Sequence, residues 1–316
     1  MVVFTIKHMK KTDNFNDLDL AMLPFDEQTC IIDDEFMAAD NLDEHSSIRD
    51  LSTDPHMTRF LTAPYPFKLQ FSIMNLCMEG CMRVRVNLNE YEMHRNSLMI
   101  VPQGTIVQCL NVSSDCRVVI IAFSADYIIP ESSPAGTVIV RKFLAQNSMM
   151  QLSDDETEEI LTLYRAMRAK VRQPSFNYKR EALMGYMQVL YYDVCQAMTR
   201  YVEKFDAGRS SRKKQIFDQF IQLLQQYCTS ERSIVFYAEK LCLTPKYLSQ
   251  VVRVVSGRHA GEWIRDYVIL EAKALLKSQQ YSVQQVADML NFANQSFFGV
   301  YFKKAVGCSP SVYQNK

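Results

Sequence analysis

The sequence predicts an α+β chain in two parts, a strand-rich antiparallel front half and an all-helical tail. Three observations predict it. Short β-rich runs separated by turn residues fill residues 67–123, and beyond about residue 155 apolar residues recur at helical spacing. The charge also changes sign along the chain. Residues 209–316 hold fifteen Lys/Arg against seven Asp/Glu, and the rest holds twenty against twenty-eight, within a net charge of zero. At 316 residues the chain exceeds one ordinary core and suits two domains with a linker.

The front domain is placed at residues 1–130. Residues 1–60 are acidic and irregular, with Asp33-Asp34-Glu35 and the run from Asp40 to Glu44, and they remain poorly defined. The strand-like runs are Phe67–Met78, Cys81–Val86, Tyr91–His94, Ser97–Val101, Thr105–Val112 and Cys116–Phe123. Glu79-Gly80, Arg95-Asn96 and Pro102-Gln103-Gly104 punctuate them, a spacing that suits an antiparallel sandwich or small barrel. Residues 131–208 read as a helical linker and dimerisation region. One helix runs from Asp155 to Arg172 and stops at Pro174. A second, Tyr178 to Phe205, carries Leu183, Met187, Leu190, Val194, Ala197 and Tyr201 in a heptad-like seam. That seam fits either a second copy of the chain or the chain's own strands. Asp206 to Ser211 reads as a polar hinge before the tail domain, residues 209–316.

Several function classes are disfavoured. No run of eighteen apolar residues predicts a membrane span, and the first twenty residues lack the apolar stretch of a signal peptide. Nine cysteines are scattered without a C-x-x-C pair, which suits thiols in a reducing cytoplasm. Of the five histidines, only His94 falls among the strands, beside Glu92, so neither a metal nor any other cofactor is expected. The aromatic and Met residues Phe67, Phe71, Met74, Met78, Met82 and Met93 suit a barrel core better than a ligand pocket. The basic tail points to a polyanion.

Two segments of that tail read as helix-turn-helix units. In the first, Ile234, Tyr237, Ala238 and Leu241 line a support helix, and Thr244-Pro245 caps the next. Tyr247, Leu248, Val251 and Val252 face inward, leaving Lys246, Ser249, Gln250 and Arg253 outward. In the second, Ser282 and Gln285 form a capping box, and Val283, Val286, Ala287 and Leu290 make the apolar face. Asn294 caps a helix anchored by Phe297, Phe298, Tyr301 and Phe302, with Gln295, Ser296, Gly299 and Lys303 outward. A connecting helix through Trp263, Ile264, Tyr267, Ile269, Ala272, Leu275 and Leu276 fixes their separation. Two such units can enter successive major grooves, roughly 34 Å apart.

The stretch from Val286 to Tyr313, VADMLNFANQSFFGVYFKKAVGCSPSVY, resembles the signature of the arabinose-regulator (AraC/XylS) family, as do LTPKYLS from Leu243 and EAKALL from Glu271. The resemblance spans about Gln215 to Tyr313; the front half resembles, more loosely, the cupin-like sensor barrel common in that family. It implies a transcription regulator, an activator rather than an enzyme, binding double-stranded DNA. It implies base reading at Lys246, Ser249, Gln250, Gln295 and Ser296, with Lys303 and Lys304 near the backbone. Thr244, Arg253 and Asn294 complete the expected DNA-binding set. Implied partners are a small-molecule effector in the barrel, RNA polymerase for an activator, and a second copy through helix 178–205. The chain departs from the family pattern at Cys242 and Asn291, where Gly is usual, and at Gln250, Val268 and Val300, where Arg is frequent. A cupin-type catalyst and a purely protein-binding module are the rival readings. A DNA-repair alkyl acceptor needs an activated Cys and a Cys-rich zinc module, and neither is apparent.

Overall fold

The computed structural model describes residues 17–18, 30–33, 36–42, 65–124, 139–140, 143–144, 147–173, 175–207 and 212–315. Pro174, Gly208–Ser211 of the hinge, and most of residues 1–60 lie outside them.

Eleven strands form two sheets among the described residues. One has the order β1 (Asp17–Leu18), β4 (Phe67–Leu69), β9 (Ile106–Val112), β6 (Met82–Val86), β7 (Asn89–Met93). The other runs β11 (Met149–Gln151), β8 (Ser97–Val101), β5 (Ser72–Glu79), β10 (Arg117–Phe123), β3 (Phe36–Asp40), β2 (Cys30–Asp33). Pairing is antiparallel except between β1 and β4. The sheets face each other as an open, cupin-like pair rather than a closed barrel.

The second sheet is buried on both sides, and its sequence shows why. In β10, Val118 and Ala122 join the core between the sheets, while Val119, Ile121 and Phe123 enter a second core beneath α1 (Asp154–Val171) and α2 (Lys179–Ala207). A strand covered on both faces needs an unbroken apolar run in place of alternation. β3 splits the same way, Phe36 and Ala38 to one core and Met37 and Ala39 to the other. This strand lies in the segment read as acidic and irregular. Its first four residues, Phe36 to Ala39, are apolar, and the acids on either side of them hid it. The run read as Phe67–Met78 breaks into β4 and β5 on different sheets. Phe67, Phe71, Met82 and Met93 are core between the sheets, whereas Met74 faces the helices.

α1 begins at a capping box of Ser153 and Glu156 and buries Ile160, Leu161, Tyr164 and Met167. The fully buried Asp40 accepts a hydrogen bond from the Tyr164 hydroxyl and pairs with Arg168, which pins α1 to β3. Leu183, Met187, Leu190, Val194 and Ala197 of α2 are buried in this same core. The seam therefore packs on the chain's own sheet, because α2 lies across strands that need a cover. A different stripe of α2, with Met184, Val189 and Tyr192, faces outward. Asp206 and Ala207, assigned to the hinge, continue α2.

The tail folds as α3 (Arg212–Tyr227), α4 (Ile234–Lys240), α5 (Pro245–Ser256), α6 (Ala260–Lys277), α7 (Val283–Met289), α8 (Gln295–Val306) and α9 (Pro310–Asn315). The front half meets it on α6, where Leu88 and Ile106 pack against Leu270 and Ala274. Beside them the Lys68 ammonium donates to the buried Glu271 carboxylate at 3.0 Å. Substitution Lys68→Met strands that carboxylate and is expected to cost about 3 kcal/mol of stability, read by urea unfolding. An unchanged midpoint counts against this pair as the tie between the halves.

Candidate nucleic-acid interface

The two units have the same local construction about fifty residues apart. Ser233 caps α4, whose Tyr237 and Ala238 are buried. Cys242 then takes φ of +54°, and the Thr244 hydroxyl accepts from the Tyr247 amide at 3.2 Å, with Pro245 opening α5. In the second unit, Ser282 and Gln285 form the expected capping box, and Val286, Ala287 and Leu290 are buried. Asn291 also sits at φ +54°, and Asn294 accepts from the Phe297 amide at 3.0 Å to start α8. The second turn is one residue longer. The second helix of each unit, α5 and α8, ends at a left-handed glycine, Gly257 and Gly307.

Leu248, Val251 and Val252 hold α5 to its support; Phe298 and Phe302 hold α8. Lys246, Gln250 and Arg253 lie outward on α5, and Gln295, Ser296, Lys303 and Lys304 lie outward on α8. Neither helix contains an acidic residue, so each exposed face carries only positive charge. Three side chains differ from the sequence reading. Ser249 is half-buried, its hydroxyl donating to the Pro245 carbonyl at 2.8 Å. Tyr247, read as inward, is 39% exposed, and Phe297, read as an anchor, is 66% exposed. Leucine and phenylalanine one position further along each helix fill the core instead, and the ring before them is rotated onto the rim.

The units are locked to one another. Arg232, just before α4, donates to the Leu290 and Asn291 carbonyls in the turn of the other unit and lies 4.1 Å above the Phe292 ring. The Asn291 amide returns a bond to the Ser230 carbonyl at 2.8 Å. Asparagine suits this turn because it tolerates the left-handed backbone and adds the cross-link. Cys242, exposed at the equivalent turn, adds none that the structure shows. The Arg232 clamp was not legible in the sequence, since nothing local marks an arginine whose acceptors lie about sixty residues away.

A cleft of about 630 Å³ separates the front half from the tail, lined by Arg85, Leu88, Arg265, Lys273, Tyr301 and Lys304. Burial, and then Arg85, depress the Lys273 pKa, while burial raises that of Tyr301. Lys304, expected beside the DNA backbone, thus stands on the cleft edge of α8.

A helix-turn-helix domain family matches residues 237–316. The chain is 27% identical over 114 residues to the uncharacterized HTH-type transcriptional regulator YtdP of Bacillus subtilis, covering 36% of this chain and 15% of that protein. It is 33% identical over 85 residues to the arabinose operon regulatory protein of Salmonella typhimurium, 27% of this chain and 30% of that one. The HTH-type transcriptional activator AarP of Providencia stuartii is 29% identical over 99 residues, 31% of this chain and 73% of its own. The chain thus spans less than a third of the first two relatives.

Substitution Arg232→Ala removes two charge-assisted bonds and is expected to lower stability by about 2 kcal/mol in urea unfolding. Cys242→Gly, which relieves a left-handed side chain, is expected to raise it by about 1 kcal/mol in the same assay.

Proposed function

We propose that this chain, whose residues 237–316 match a helix-turn-helix domain family and resemble the AraC/XylS type, is a sequence-specific DNA-binding regulator of transcription. The duplicated unit carries the reading: two capped helices, each with an acid-free outward face, on one connecting helix. α5 and α8 enter successive major grooves of one duplex. Lys246, Gln250 and Arg253 read bases from α5, with glutamine suited to adenine and the cations to guanine or phosphate. Gln295 and Ser296 do so from α8. The Ser249 hydroxyl, donating within its own helix, keeps its lone pairs for an incoming donor. Lys303 meets the phosphate backbone, joined by Lys304 at the cleft edge. The caps Thr244 and Asn294 hold two helix N-termini where phosphates bind.

Control belongs to the front half. An apolar cavity of about 160 Å³ between the second sheet and α2, lined by Met74, Ile100, Phe123, Leu190, Val194 and Met198, suits a small apolar effector. The outward stripe of α2 through Met184, Val189 and Tyr192 suits a homodimer contact. The name of the relative AarP supports an activator, which requires RNA polymerase as a partner. The setting is the cytoplasm. Among the described residues no helix is long and apolar enough to cross a membrane.

Selection of duplexes from a random pool with the full chain, followed by gel shifts across a salt series, tests the reading. Affinity is expected to fall steeply with salt as condensed counterions are released. Gln250→Ala is expected to relax preference at one base pair by about 1–3 kcal/mol, and Lys303→Ala to weaken all sites alike and flatten the salt slope by about one. No enriched duplex, or salt-insensitive binding, defeats the proposal; equal sequence-independent losses from both variants defeat the contact assignment.

A further inference from the structure

We propose that the second reading helix recognises thymine methyl groups through Val300 and Phe297, so that the two units read DNA by different chemistry. This rests on the DNA-binding reading above and names what its second half contacts. Val300 and Phe297 are 71% and 66% exposed, the most exposed large apolar side chains in the tail. They lie on the outward face of α8, where Ser296, Val300 and Lys303 follow at i, i+4 and i+7, opposite the buried Phe298 and Phe302. The matching positions of α5 carry Gln250 for Val300 and Tyr247 for Phe297, so the first unit offers hydrogen bonds where the second offers carbon.

An apolar patch of this kind, flanked by Lys303 and Lys304 and without an acid on its helix, complements one feature of the major groove. Phosphates line its edges, and the thymine C5-methyl is the apolar group on its floor. Gly299 adds an independent sign. A glycine inside a helix costs about 1 kcal/mol relative to alanine, yet a Cβ added there would meet nothing within 4 Å. No packing inside the molecule calls for glycine at this place. A bare, half-buried backbone at the edge of the reading face permits a closer approach by something outside, and a base-pair edge is such a neighbour.

The test starts from duplexes selected by the full chain and replaces each thymine in turn by deoxyuridine, which removes only the methyl. At least one replacement in the half-site of α8 is expected to weaken binding about fourfold, the worth of one buried methyl-sized group. That loss should vanish in Val300→Ala or Phe297→Ala. Val300→Arg should move the preferred base at that step to guanine, because arginine pairs with its O6 and N7. Specific binding that ignores every deoxyuridine overturns the inference while leaving DNA reading intact. So does a methyl effect that persists in both alanine variants. A shift in oligomeric size with Phe297→Ala, DNA affinity unchanged, assigns the patch to a protein contact and overturns it too. Failure to select any duplex removes the reading and the inference together.

Discussion

The tail depends on a helix that is buried on nearly every side. α6 turns Ile264, Tyr267 and Val268 toward the first unit and Ile269, Ala272 and Leu276 toward the second. Leu270 and Ala274 remain for the front half. From Tyr267 to Ala272 every residue of α6 is buried, a stretch that its neighbours must enclose on all sides, while Arg265 and Lys273 face the cleft. Neither unit has a large core of its own, so each completes its burial on this shared rod. The Arg232 clamp then removes the remaining freedom, tying the loop before one support helix to the turn of the other unit. Packing sets the distance and polar bonds set the angle.

The reading helices gain their freedom from the same arrangement. Because Leu248, Val251 and Val252, or Phe298 and Phe302, carry the anchoring, the opposite faces can vary without loss of fold. In α5 that freedom holds Lys246, Gln250 and Arg253 beside an exposed Val254; in α8 it holds a mixture of carbon, lysine and a bare glycine.

The tail was largely legible in the sequence. Helical spacing, Ser282 with Gln285, Thr244 before Pro245 and Asn294 are local signals, and each acts within a few residues of itself. Rotation of a ring about its own helix is a finer matter, and Tyr247 and Phe297 fall on the boundary where a hydrophobicity pattern does not separate core from rim. The front half was legible where turns punctuate it, from β5 through β10. It was less so where strands are defined only by distant partners: β3 pairs with β10, some eighty residues on, and β11 with β8. The α2 seam shows the same limit. A stripe at heptad spacing says that something will cover it, and only the fold says that the cover is the sheet behind.

The front half grips the axle rather than either wheel. Its direct packing reaches α6 through Leu88, Ile106 and the Lys68–Glu271 pair, with the nearest reading helix across a cleft. Both units are anchored on that same helix, one through Ile264, Tyr267 and Val268 and the other through Ile269, Ala272 and Leu276. In the function proposed above, such a linkage sets how often a site is occupied, and the choice of address stays with the side chains on the two outer faces.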